Sequence, residues 1–168
     1  MTALGAMIVF PVLMAYAAAS DLFTMTISNW ISITLLIGFL AMASALGLPL
    51  HDVLSHLSCG AAVLAITFTL FCFGWIGGGD AKLAAATALW IGWAHMLDYG
   101  LLASLGGGAL TLLLLQARQW PLPAWALSSA WISRLHEKSA GIPYGIALAA
   151  AGLMVYPETR VWLSVSGA

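Results

Sequence analysis

The run VLSHLSCGAAVLAITFTLFCF, from Val53 to Phe73, holds 21 residues and not one Asp, Glu, Lys or Arg. A helix needs about 20 mostly apolar residues to cross the hydrocarbon core of a bilayer. Working outward, five further runs read the same way: Leu4 to Ser20, Trp30 to Leu48, Ala81 to Leu97, Tyr99 to Leu115 and Ile142 to Tyr156. The fourth and sixth spans in chain order are short. In lipid only helices and closed barrels satisfy every backbone polar group. The spacing therefore predicts an all-α polytopic membrane protein, a bundle of about six transmembrane helices, with residues 1–168 forming one domain.

The composition agrees. The chain is 62% hydrophobic and 7% charged, with a mean hydropathy of +1.02, where a soluble domain carries about 25% charged residues. So few charges cannot cover a water-facing surface, so lipid is the expected solvent. The net charge of −1 leaves no basic patch for phosphates, which argues against a nucleic-acid partner. Cys59 and Cys72 lie inside an apolar run and form no CxxC pair. No zinc site of the usual spacing is expected from them. His51, His56, His95 and His136 fall in or near loops without ligand spacing, and none is assigned a metal. The segment before Ala17-Ala18-Ala19-Ser20 has the small-residue end of a signal peptide but not its positive start, because the first Lys or Arg is Lys82. It is read as a retained span.

Asp21 to Asn29, Gly74 to Asp80 and Arg118 to Gly141 are the first, third and fifth connections. With the N-terminus outside, these three are cytoplasmic and carry Lys82, Arg118, Arg134 and Lys138, against Arg160 alone outside. That split follows the positive-inside rule. In the fifth connection Ala124, Leu127, Trp131 and Leu135 recur at helical spacing. This predicts an amphipathic segment over about 120–138, lying in the interface and anchored by Trp125 and Trp131.

Six acids occur. Asp52, Asp98, Glu137 and Glu158 read as solvated loop charges. Asp21 ends the first span and Asp80 begins the fourth, so both reach the same depth on the cytoplasmic side. Ionisable groups at membrane depth are costly and usually functional. Two adjacent carboxyls cannot both ionise and share one proton. The ionised one then takes a proton from water while its partner donates to a carbonyl oxygen. Before Asp80 stand Gly77, Gly78 and Gly79, expensive in a helix but suited to close approach of another backbone, including an extended substrate. Gly106-Gly107-Gly108 has no acid nearby and reads as close helix packing. Asn29 either caps the second helix or orients Asp21, with capping favoured.

Three motifs carry a resemblance. Gly77-Gly78-Gly79-Asp80-Ala81-Lys82 resembles the GxGD-x-K segment of type IV prepilin peptidases. Ala19-Ser20-Asp21-Leu22 followed by Ile27-Ser28-Asn29-Trp30 is similar to their first aspartate motif, although Phe23 and Thr24 stand where a basic residue is common and Ser28 replaces a proline. Gly141-Ile142-Pro143-Tyr144-Gly145 is similar to the Pro-Tyr-Gly segment that opens their last span. The resemblance runs over nearly the whole chain. It implies a membrane aspartic endopeptidase of the bacterial inner membrane, with Asp21 and Asp80 catalytic and Gly77, Gly78, Gly79, Lys82, Pro143 and Tyr144 toward the substrate. The compact form resembles the Flp-type, tight-adherence enzymes, which implies a Flp-type prepilin or pseudopilin cut after a glycine. It also implies no methyltransferase activity and no cofactor beyond water. Lys82 either meets the site or the substrate, or anchors in the interface. Pro143 fits a first helical turn, and Tyr144 either lines the substrate groove or anchors at the interface. From other classes, an ion-coupled transporter or a non-catalytic pilus assembly factor would also carry intramembrane acids.

Overall fold

The computed structural model describes residues 2–123, 126 and 128–166. Among the described residues every regular element is a helix. The order is α1 (Thr2–Thr24), α2 (Asn29–Ala45), α3 (Leu50–Cys72), α4 (Gly78–Ile91), α5 (Met96–Ala117), α6 (Ala130–His136), α7 (Gly145–Val155) and α8 (Arg160–Ser166). Short 3₁₀ turns at Trp93–His95 and Tyr156–Glu158 precede α5 and α8.

The centre is α4. From Leu83 to Ile91 every residue is buried, although the helix is only 14 residues long, about 21 Å at 1.5 Å per residue. Its alanines, Ala81, Ala84, Ala85, Ala86 and Ala88, keep it thin enough for α3, α2 and α7 to pack around it. Gly60 of α3 makes the closest approach, since a β-carbon there would stand 3.2 Å from the Ala85 carbonyl oxygen. At the far end of α4, Trp90 is fully buried against Phe10 and Phe39 and donates its indole N–H to the Leu35 carbonyl at 2.9 Å. The outer helices show the converse pattern. Leu97, Leu101, Leu105 and Leu112 form an exposed apolar stripe along α5, and Leu50, Leu54, Leu64 and Ile66 are exposed on α3. An apolar face of that extent is a lipid-facing surface. Leu50–Cys72 and Trp93–Ala117 are long and apolar enough to cross a membrane, while Ile8–Thr24, Asn29–Ala45 and Gly145–Glu158 are apolar but shorter.

Several boundaries differ from expectation. The first helix runs four residues past Ser20, so Asp21 lies in its last turn; the end comes at Met25, whose φ of 55° is left-handed and whose N–H closes on the Asp21 carbonyl at 2.9 Å. The fourth helix was expected to reach Leu97 but stops at Ile91, because Gly92 turns with φ 71°. The apolar run Trp93 to Leu97 hides that break from hydropathy. The last predicted span is a helix only from Gly145, and α8 follows it unannounced. Of the amphipathic segment, Ala130–His136 is helical, whereas Ala124, Trp125 and Leu127 lie outside the described residues. The helix docks on the end of α1: Trp131 meets Phe23 edge-on at 5.3 Å, and Arg134 donates to the Phe23 carbonyl at 2.9 Å.

Arg118 ends α5 and is buried. Its guanidinium donates to the carbonyls of Leu135, Ala140 and Gly141 at 2.8, 3.1 and 2.8 Å. One planar fork thus closes the long connection back toward α7. Arg118→Ala leaves three carbonyls without their donor and is expected to cost about 3 kcal/mol, seen as a fall in Tm of roughly 5 °C or more in detergent. Arg118→Lys restores only part of it, because an ammonium lacks the fork. An unchanged Tm for Arg118→Ala would refute the clamp.

Candidate active site

The turn after α1 brings the first aspartate to the rest of the site. Ser20 Oγ donates to the Thr26 carbonyl at 2.8 Å, and the Thr24 and Thr26 hydroxyls pair at 2.7 Å. The chain therefore folds back, and Ile27 lies over the start of α4. A β-carbon on Gly79 would stand 3.0 Å from Ile27 Cβ and 3.3 Å from its carbonyl oxygen. The glycine run does admit a close backbone, but the backbone is this chain's own first loop. Nor is the run unwound: Gly78 and Gly79 form the first turn of α4, and only Gly77 is extended, with φ −72° and ψ 145°. Any residue adopts those angles, so the demand at Gly77 is for space. A β-carbon there would lie 2.8 Å from Asp80 Oδ2. Asp80, third in the helix, accepts from the Gly77 N–H, the carboxylate half of a capping box.

Asp21 is held from the other side. It is only 5% exposed, and its Oδ2 accepts from the Gly145 N–H at 2.7 Å. Gly145 is the first residue of α7, so a free amide at a helix start points at the carboxylate. A β-carbon at 145 would stand 2.6 Å from Ile27 Cδ1 and 2.8 Å from Asp21 Oδ2. Gly145, Ile27 and Gly79 thus form a continuous bridge between the segments that carry the two carboxyls. Asp21 is buried and Asp80 half-buried.

The remaining sequence candidates divide. Lys82 is exposed and donates from Nζ to Asn29 Oδ1 at 2.8 Å, joining the start of α2 to α4. Asn29 is therefore neither cap nor ligand of Asp21; α2 starts at Asn29 itself, Ser28 holds the cap position, and no side chain caps it. Pro143 is buried but precedes α7 by two residues, and its carbonyl accepts from Ile146 at 3.3 Å in a turn. The ring of Tyr144 fills the space over Gly107 of α5 where a β-carbon would be. Within the 106–108 run only the middle glycine is required: Gly106 has nothing nearer than Ala147 Cβ at 3.7 Å, and Gly108 has nothing within 4 Å. Gly107→Ala is expected to lower Tm and displace Tyr144, while Gly108→Ala leaves Tm unchanged or raises it by the helix propensity of about 1 kcal/mol. Equal effects of the two in a thermal melt would contradict this packing.

Sequence reasoning passed over Gly145 and Ile27 as site residues. The only signal was the small residue ending the Pro143-Tyr144-Gly145 motif. It also passed over a cluster at the opposite end of α4, where His95 Nδ1 lies 3.7 Å from Asp98 and 4.0 Å from Glu158. Both carboxylates are largely exposed, and this cluster is remote from Asp21 and Asp80.

The fold is thus an all-helical bundle that gathers two aspartates at one end of the buried, alanine-rich α4. The profile of the type IV leader peptidase family matches residues 8–112, a span that includes Asp21, the Gly77–Asp80 segment and Lys82. The chain belongs to that family, and is a membrane protease of the leader-peptidase type. No curated protein and no solved structure matches it.

Proposed function

We propose that the chain is an aspartic endopeptidase that removes the leader of a Flp-type prepilin or pseudopilin, cutting after a glycine at the cytoplasmic face of the bacterial inner membrane. The observation that carries this reading is that Ile27 links the segments bearing Asp21 and Asp80, with each carboxyl held by one backbone N–H, from Gly145 and Gly77. Like charges at close range share one proton. The ionised carboxyl removes a proton from water, and the oxygen attacks the scissile carbonyl carbon. The protonated carboxyl donates to the carbonyl oxygen. Collapse of the tetrahedral intermediate breaks the C–N bond, and the leaving amine takes a proton back from the pair. The two backbone amides orient the carboxyls, and such preorganisation is what this chemistry rewards.

The N-terminus is placed outside and the pair on the cytoplasmic side. Lys82, Arg134 and Arg118 support this, as they cluster at the end of the bundle where Asp21 and Asp80 lie. The test is co-expression with a tagged Flp-type prepilin in a host without other prepilin peptidases. The expected result is a mobility shift and a new N-terminus following a glycine. An unprocessed prepilin beside a correctly inserted enzyme would overturn the substrate assignment.

A further inference from the structure

The segment that leads into Gly145 is pinned twice to α5. Arg118, at the end of α5, donates to the Ala140 and Gly141 carbonyls at 3.1 and 2.8 Å. Further back along the same helix, the ring of Tyr144 occupies the place that a β-carbon on Gly107 would take. Gly107 lies with Tyr99 and Ala103 on the buried face of α5, so the seat opens inside the bundle. The backbone of Tyr144 is fixed as well. Its N–H donates to the Ile142 carbonyl at 2.8 Å, and its carbonyl accepts from the Leu148 N–H at 3.1 Å. The next peptide plane supplies the N–H of Gly145, which Asp21 Oδ2 accepts at 2.7 Å. A peptide unit is planar and moves as one piece between its two α-carbons. The direction of that N–H therefore depends on where the α-carbon of Tyr144 sits.

We infer that Tyr144, seated on Gly107, is a positioning residue for Asp21: its ring fixes the start of α7, and through it the amide that orients the carboxyl. The inference rests on the leader-peptidase reading above. The nearest atoms to a β-carbon at 107 all belong to Tyr144, so an effect of that position on Asp21 travels through the ring. A methyl there lifts the ring from its seat. Upstream, Arg118 holds the chain at Ala140 and Gly141, so the displacement is passed forward to the Gly145 amide. Asp21 is buried, and a carboxyl away from water depends on its few fixed donors.

The experiment measures cleavage of the tagged prepilin by purified full-length variants, well below the Tm of each. Gly107→Ala is expected to lower kcat about tenfold with KM within about twofold, a part of the roughly 10² that a shift of about 1 Å at reacting groups costs. Gly108→Ala, on the same helix with nothing within 4 Å of its β-carbon, is the control and keeps the wild-type kcat. Tyr144→Leu removes the ring and is expected to match Gly107→Ala, while Tyr144→Phe keeps the ring and recovers most of that loss. In the Gly145→Ala background, where the carboxyl is already displaced, Gly107→Ala or Tyr144→Leu is expected to change kcat by no more than about twofold, because changes acting through one contact do not add. A merely structural loss would add in full. Should Gly107→Ala fail to fold, the Tyr144 variants decide alone. Wild-type cleavage beside an unchanged kcat in Gly107→Ala and Tyr144→Leu, an effect on KM alone, or full additivity with Gly145→Ala would overturn the positioning role and leave the peptidase reading intact. Absence of cleavage by the wild type would remove the reading and the inference together.

Discussion

Asp21→Asn and Asp80→Asn are each expected to lower kcat/KM for leader cleavage by about a thousandfold or more without unfolding the protein. The size follows from the proposed roles: removing a general acid or base typically forfeits 10²–10⁴ in rate. Retention of fold follows from the surroundings. Asparagine has the volume of aspartate and keeps one carbonyl oxygen, so the Gly145 N–H that Asp21 accepts at 2.7 Å still finds an acceptor. The neutral amide also leaves no ionisable group in the buried position of Asp21. Tm in detergent should therefore stay level or rise while activity collapses, a split that a merely structural aspartate would not produce. If the carboxyls act as the proposed unit, the double variant is expected to be no worse than the worse single. Cleavage retained by either purified single variant, free of other peptidases, would sink the assignment.

That the two aspartates come to one end of the bundle was legible in the sequence because cost marks them. An acid at membrane depth stands out against 62% hydrophobic residues, and the positive-inside count put both on one side. The outer helices were legible for a related reason: α3 and α5 face lipid, and their long apolar runs reflect that one requirement. What hydropathy could not see lies between elements. The stop of α4 depends on one left-handed glycine, Gly92, inside a run that stays apolar through Leu97. The roles of Gly79 and Gly145 depend on Ile27, more than fifty residues from the first and more than a hundred from the second. No local pattern encodes such a contact. Gly77, Gly78 and Gly79 were expected to unwind for a substrate strand, yet two of them are helical, since a glycine run specifies room and not the partner that uses it. The clamp by Arg118 was hidden behind an ordinary topogenic reading, because a positive charge after a span serves both purposes equally well in sequence.

Gly145→Ala tests that tertiary bridge most directly, and is expected to reduce kcat/KM about 100-fold. A methyl at 145 would stand 2.8 Å from Asp21 Oδ2 and 2.6 Å from Ile27 Cδ1, both well inside contact distance. Neither neighbour yields freely: Asp21 is buried in the last turn of α1, and Ile27 is pinned against Gly79. The amide of residue 145 is fixed as the start of α7. The carboxyl must therefore swing away from the amide that holds it, and a displacement of about 1 Å at reacting groups costs on the order of 10² in rate. Gly77→Ala makes a milder comparison, since its only close contacts are atoms of the Asp80 carboxyl, the free end of a half-buried side chain. The two contacts at 145 are separable with Ile27→Val, which removes Cδ1 and leaves Asp21 untouched. In the Gly145→Ala background it should recover part of the lost Tm and little of the lost activity, because the carboxyl remains displaced. If Ile27→Val restored both together, the bridge would matter only as packing, and the Gly145 amide would have no part in positioning Asp21.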